Sequence, residues 1–275
     1  MNAEISNISL RAFRPVNFDG LMRAGRDRDG GYVLPRQFLS MSNVLLSLGV
    51  NVDWSFEQAV LRENPAIRVL CVDGTTGLKR VTGKAAQKAV EMVGHFLTLQ
   101  FRKGRHDAQY LLKPLAFHRF FSQHELLQLM VGTRSTPGSV TLPVLLDRVT
   151  AGRADCWVLL KIDIEGAEYD VLAMSIGELS QVSVLIVEFH QLDLNWARFV
   201  GCMGELMKDF LIAHVHANNF GGYIPGTRVP AALEVTLVNK RLVNEQLPPS
   251  VRDYPLTELD RPCNWKRPDL RFDFN

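Results

Sequence analysis

The sequence predicts an α/β fold on a mostly parallel sheet with helices on both faces. Three observations carry this. Apolar runs at residues 44–50, 67–73, 157–162 and 182–190 show no clean polar alternation, as in strands buried on both faces. Helix-like patterns separate them, and polar or ionisable residues close them. The last two strand-like runs, 211–219 and 232–239, are joined only by a Gly-rich loop, so they should pair antiparallel.

The 275 residues suit one α/β domain with insertions, read as 1–275. Within it, residues 1–40 are a preamble, 78–138 an insertion-like variable region and 246–275 an irregular tail. Lys+Arg 31 against Asp+Glu 29 gives a net charge of +2, so charge offers no reason to expect nucleic acid or an anionic membrane as the main partner. Cys71, Cys156, Cys202 and Cys263 form no CxxC pair. They read as reduced thiols, which suits a cytoplasmic protein. No window is apolar enough for a transmembrane helix, and Met1–Arg14 lacks a signal-type apolar core. Oligomeric state is not legible.

Arg26-Asp27-Arg28-Asp29-Gly30-Gly31 predicts a turn, followed by a short strand at Tyr32–Pro35. Val44–Val50 is the first buried strand, Asn51–Asp53 a loop, and Trp54–Arg62 a helix with Asp53 or Ser55 as a candidate cap. Ile67–Asp73 is the second strand, completing a βαβ unit. Its logic is that of a nucleoside site. Gly49 lets the backbone approach a ligand, and Asp73, some twenty residues on, can take ribose hydroxyls. The loop is neither GxGxxG nor a P-loop. A bulky, polar loop suits a ligand without a pyrophosphate, such as S-adenosylmethionine.

A helix is expected at Thr82–Phe96, a solvated basic loop at Arg102–Asp107, a strand at Leu115–Phe121 and a short helix at Ser122–Met130. Thr141–Val149 reads as a helix capped near Thr141. The stretch Trp157–Leu172 then places an apolar strand against Asp163, Glu165 and Glu168, with Gly166 at the turn. Asp163 and Glu165 are two apart and share a direction on a strand. Acids at a strand's carboxyl end sit where open α/β sheets hold ligands. A helix at Ala167–Ser180, interrupted near Gly177, leads to a strand at Val182–His190. A helix at Asn195–Phe210 precedes the closing strand pair.

Lys161-Ile162-Asp163-Ile164-Glu165-Gly166-Ala167-Glu168, followed by Val171-Leu172, resembles the signature of FkbM-type S-adenosylmethionine-dependent methyltransferases. Asp27–Pro35, Gly49–Glu57, the Asp73-Gly74-Thr75-Thr76 turn, His214–Asn219 and Glu234–Thr236 are also similar to segments of that family. The resemblance spans roughly residues 27–270 and is weak over 78–138. It implies a Rossmann-like class I methyltransferase fold, with a seven-stranded, mostly parallel sheet whose last strand is antiparallel. It also implies S-adenosylmethionine as cofactor, a hydroxyl of a sugar, glycan or small metabolite as acceptor, and Gly49, Asn51, Asp53, Asp73 and Asp163 around the cofactor. The first loop departs from the superfamily, since Ser47 and Leu48 precede a single glycine where many members have an acid and several. Asp53, at the helix start, is then the expected holder of the methionine moiety.

Methyl transfer requires positioning and removal of the acceptor proton. Asp163 is expected beside the methyl group. His190 is the expected general base, because imidazole titrates near neutral pH, and Glu188 points the same way two residues earlier. Glu168 reads as a helix-start acid favouring the dipole. Two readings compete. One is a non-catalytic binding or scaffold protein on the same fold. The other is a metal-dependent hydrolase using His214 and His216 with Asp163 or Glu188, although no metal is expected.

Overall fold

A computed structural model describes residues 10–98, 100, 108–272 and 274. Strands β1 (Leu21–Ala24) and β2 (Tyr32–Pro35) form an antiparallel hairpin. Its turn uses Gly30 at φ +85°, as the Asp-Gly-Gly run predicts. The chain continues through α1 (Arg36–Met41), β3 (Val44–Leu48), α2 (Ser55–Glu63), β4 (Arg68–Val72) and α3 (Leu78–Leu97). Then come α4 (Lys113–Phe121), β5 (Glu125–Leu127), β6 (Met130–Val131), β7 (Ser139–Val140) and α5 (Leu142–Thr150). It closes with β8 (Val158–Ile162), α6 (Glu168–Ser175), β9 (Val182–Phe189), α7 (Leu192–Asp209), β10 (Phe210–Ala217) and β11 (Leu233–Asn239).

The seven-stranded sheet has the order β10-β11-β9-β8-β3-β4-β5. β5, β4, β3, β8 and β9 pair in parallel, and β11 is antiparallel to both β9 and β10. The expected Rossmann-like class I architecture is therefore present. The last strand lies between β9 and β10 rather than at the edge. Alternate residues of the parallel strands feed two cores. Leu46, Leu160 and Leu185 pack with α5, α6 and α7, whereas Leu45, Leu159 and Ile186 pack with α1, α2 and α4. Burial on both faces explains the missing alternation.

Two expectations fail in the variable region. Leu115–Phe121 belongs to helix α4 rather than a strand, and Ser122–Met130 contains strand β5 rather than a helix. The aromatic residues that suggest a strand are a helical stripe. Phe117, Phe120 and Phe121 surround Trp54 with ring centroids 5.6, 6.3 and 5.9 Å away. Pro114 sits in the first helical turn, where its missing N–H costs nothing. The basic loop Arg102–Asp107 lies outside the described residues.

From Pro248 on, the described residues form no helix or strand, and side chains bind the tail to the sheet. His214 Nε2 meets Asp260 Oδ1 at 2.9 Å, and His216 Nε2 meets Asp269 Oδ2 at 3.1 Å. Asn219 accepts the Asn264 N–H at 2.6 Å and donates to the Pro268 carbonyl at 3.1 Å.

Candidate active site

The parallel strands end together, so the residues after Leu48, Val72, Ile162 and Phe189 share one edge of the sheet. β11 runs the other way and brings its beginning there. Glu234 is registered against both Glu188 and His216. A cleft of about 790 Å³ opens along this edge, the size and place expected of a ligand site in an open α/β sheet. Gly49, Asn51, Asp53, Asp73, Asp163, Glu188 and His190 all line it. His214 and His216 do not converge with Asp163; their partners are the tail acids and Glu234.

The turn after β3 is set by a close approach. Gly49 has φ +79°, and a Cβ there would lie 1.6 Å from the carbonyl oxygen of Asp163, so a side chain would drive the ends of β3 and β8 apart. Asp73 ties this turn to the next. Its Oδ2 accepts the Asn51 N–H at 2.6 Å and the Thr76 hydroxyl at 2.9 Å. Its Oδ1 accepts the Thr75 N–H and hydroxyl, both at 2.7 Å, and the Thr76 N–H at 3.0 Å. Burial opposes ionisation, but the Thr75, Asn51 and Thr76 hydrogen bonds hold this carboxyl below its usual value. Asp73 thus orders the two loops, whatever it also offers a ribose. Asp53 is engaged by Arg26, whose Nε is 2.7 Å from Oδ2, and its Oδ1 accepts the Ser55 N–H at 3.2 Å.

His190 stands at the centre of the opposite end. Nδ1 lies 3.1 Å from Glu168 Oε1, which also accepts the His190 N–H at 2.7 Å. Nε2 is 3.6 Å from Glu188 Oε1, 3.7 Å from Glu165 Oε2 and 3.9 Å from Asp163 Oδ1. Burial favours the neutral ring, but the Glu168 hydrogen bond and the Glu188, Glu168 and Asp163 charges prevail and raise its pKa to about 9. The ring is protonated at neutral pH. Burial, with Asp163 and Glu234 nearby, pushes Glu188 well above the carboxylate range. Asn218 Nδ2 donates to Glu188 Oε1 at 2.6 Å. Asp29 is raised to about 6 by burial and then by Glu234 and Asp163.

Several side chains in this constellation escaped the sequence reading. Lys161 is 4% exposed, and its Nζ donates to the Gly49 carbonyl at 2.8 Å and to Asp163 Oδ2 at 3.3 Å. Its signal was a lysine inside an otherwise apolar strand run. Burial opposes its charge, but Asp163, Glu57 and Glu188 raise its pKa. Tyr32, from the hairpin, donates its hydroxyl toward Asp163 Oδ2 at 3.1 Å. Glu57, the first-turn acid of α2, accepts from Ser47 Oγ at 2.5 Å, and its buried Oε2 has no hydrogen-bond partner among the described residues.

A family model described as the methyltransferase FkbM domain matches residues 94–214. The match spans less than half of the chain. Among solved structures, it is similar to precorrin-6y C5,15-methyltransferase from Geobacter metallireducens GS-15, with 10% identity, 74% of this chain and 85% of the other covered, and a TM-score of 0.36. The O-methyltransferase TomG from Streptomyces achromogenes, solved with SAM, gives 12% identity, 74% and 75% coverage and a TM-score of 0.37. The Methanococcus jannaschii fibrillarin pre-rRNA processing protein gives 7%, 73%, 68% and 0.37. These are distant likenesses, and what those proteins methylate belongs to them alone. No curated protein matches the chain in sequence.

The cofactor of the matched family is S-adenosylmethionine, and the cleft's chemistry fits it. The unpartnered Glu57 oxygen beside the first turn is an acceptor suited to an ammonium group. Leu129, Met130 and Val131 give an apolar wall beyond Asp73, suited to a flat base. No helix among the described residues is long and apolar enough to cross a membrane.

Proposed function

We propose that this chain is an FkbM-type methyltransferase that transfers a methyl group to a hydroxyl of a sugar, glycan or small metabolite. One observation carries the reading: His190 Nε2 faces the cleft amid Asp163, Glu165 and Glu188 while Glu168 fixes the other ring nitrogen. Once its proton is lost, Nε2 is a proton acceptor with a set orientation, next to carboxyl and amide groups suited to binding hydroxyls. The half-exposed ring of Phe220 on the cleft wall adds a face for an apolar sugar surface.

In this reading Asp53 and Glu57 serve the methionine end of the donor, and the turns ordered by Asp73 serve the ribose. Asp163 is held beside the transfer point by Lys161 and Tyr32. The bound cofactor supplies an electrophilic methyl group on a sulfonium. His190 takes the acceptor proton at Nε2 in its neutral form, which a neighbouring cation favours by lowering its pKa. The acceptor is not nucleic acid in this reading. The free, buried cysteines support a reducing compartment such as the cytoplasm.

The test is transfer from methyl-labelled S-adenosylmethionine to fractionated host extract. Label should enter glycans or small metabolites as an alkali-stable methyl ether. Label confined to RNA or protein would overturn the reading.

A further inference from the structure

The cleft has two electrical ends. Asp163, Glu165 and Glu188 gather around His190, whereas Arg26, Arg80 and Lys84 line the wall beyond the turn after β3, and Asp29 lies between the two, within reach of both Arg26 and Asp163. Lys113 stands behind them, its Nζ 3.9 Å from Asp53 Oδ1. Asp53 is an acid among these cations, and Arg26 Nε lies 2.7 Å from it. Their crowding registers in Lys84, whose ammonium is disfavoured by burial and then by Arg80 and Arg26. Four cations, Arg26, Arg80, Lys84 and Lys113, outnumber the neighbouring carboxyls of Asp53 and Asp29, and such an excess in a concave wall attracts an anion.

Arg26 is pre-set for this task. Its Nε is occupied, donating to the Asp29 carbonyl at 2.6 Å and facing Asp53. The two terminal nitrogens of the guanidinium are its remaining donors, and a planar fork matches a carboxylate. The methyl donor carries one carboxylate, at the methionine end. The basic wall adjoins Gly49, Asn51 and Asp53, away from the His190 end where the acceptor proton leaves.

We propose that Arg26, backed by Lys84, binds the α-carboxylate of S-adenosylmethionine. The assignment rests on the donor site proposed above. It leaves Asp53 and Glu57 for the ammonium, so the cleft reads both charges of the amino-acid end.

Calorimetry on the full chain tests this with two ligands that share a nucleoside. S-adenosylhomocysteine has the amino-acid end, and 5′-methylthioadenosine lacks it. Arg26→Gln should weaken S-adenosylhomocysteine about tenfold or more, the size expected of a charge-assisted hydrogen bond, and leave methylthioadenosine unchanged. Lys84→Gln, which leaves the Arg26–Asp53 pair intact, should act in the same direction more weakly. In the unaltered protein, added salt should weaken S-adenosylhomocysteine selectively, which tests the idea even if a variant misfolds. Equal loss of both ligands, or an unchanged S-adenosylhomocysteine affinity with a raised acceptor KM, would overturn the assignment. Failure of both ligands to bind the unaltered protein would sink the donor site itself.

Discussion

Glu168 holds His190 at two points, accepting its backbone N–H at 2.7 Å and lying 3.1 Å from its Nδ1 with the same oxygen. The other oxygen accepts the Gly166 N–H at 2.7 Å. One fully buried carboxylate thus fixes the turn after β8, the start of α6 and the orientation of the proposed base. Glu168→Gln should lower the His190 pKa by about one unit or more, since an adjacent anion is removed. Histidine NMR would follow this, and the alkaline rise of kcat/KM, expected near the His190 pKa of about 9, should move to lower pH. An unmoved profile would mean that another group takes the proton.

The same histidine makes stability depend on pH. Its folded pKa of about 9 lies above the ordinary 6.5. Its stabilising contribution is therefore complete below about pH 6.5 and disappears as pH rises through about 9. Urea unfolding of the unaltered protein should lose on the order of 1–3 kcal/mol over that range relative to His190→Gln. Parallel curves for the two proteins would contradict the assignment.

Asp73→Ala should disturb the loops as well as the ligand. It removes the acceptor for N–H groups of Asn51, Thr75 and Thr76. Unfolding free energy should fall by about 3 kcal/mol, and methylthioadenosine affinity should drop at least tenfold. A variant with normal stability and normal affinity would show the hydrogen bonds to be dispensable.

Lys161→Met leaves Asp163 and Glu57 without their buried cation. The expected cost is about 3–5 kcal/mol, with turnover reduced more than donor affinity, since Lys161 bonds Asp163 and the Gly49 carbonyl. Thermal melts and single-turnover transfer would separate the two effects.

Methyl transfer should survive exhaustive dialysis against EDTA, because in the proposed mechanism His190 supplies the proton acceptor and Glu168 its fixed orientation. Loss of activity that returns with added magnesium or manganese would place a cation in the mechanism.

The strands and their acidic ends were legible because a parallel sheet buried on both faces writes itself as uninterrupted apolar runs. Asp163, Glu188 and His190 follow from where those runs stop. Glu234 does not, because it starts a strand, and only the reversal of β11 brings that start to the ligand edge. Glu168 reads locally as a dipole-favouring acid, whereas its partner His190 is 22 residues away. The pairing of His214 with Asp260 spans 46 residues and follows no periodic pattern. Helix α4 was not legible because Phe117, Phe120 and Phe121 suit a strand locally, and packing on Trp54 overrides that preference.

The position of β11 has a consequence for biosynthesis. It is the last of the sheet strands to leave the ribosome, yet it lies between β9 and β10. Until residues 233–239 emerge, β9 and β10 have no neighbour on their facing sides. The hairpin that supplies Tyr32 meanwhile lacks its anchor, the hydrogen bond from Thr236 to the Val33 carbonyl across 203 residues. A nascent chain that has already made β3, β4, β8 and β9 therefore still lacks a seated hairpin, and with it both Arg26 and Tyr32. Full donor affinity and methyl transfer are both expected to wait for the emergence of β11 during translation.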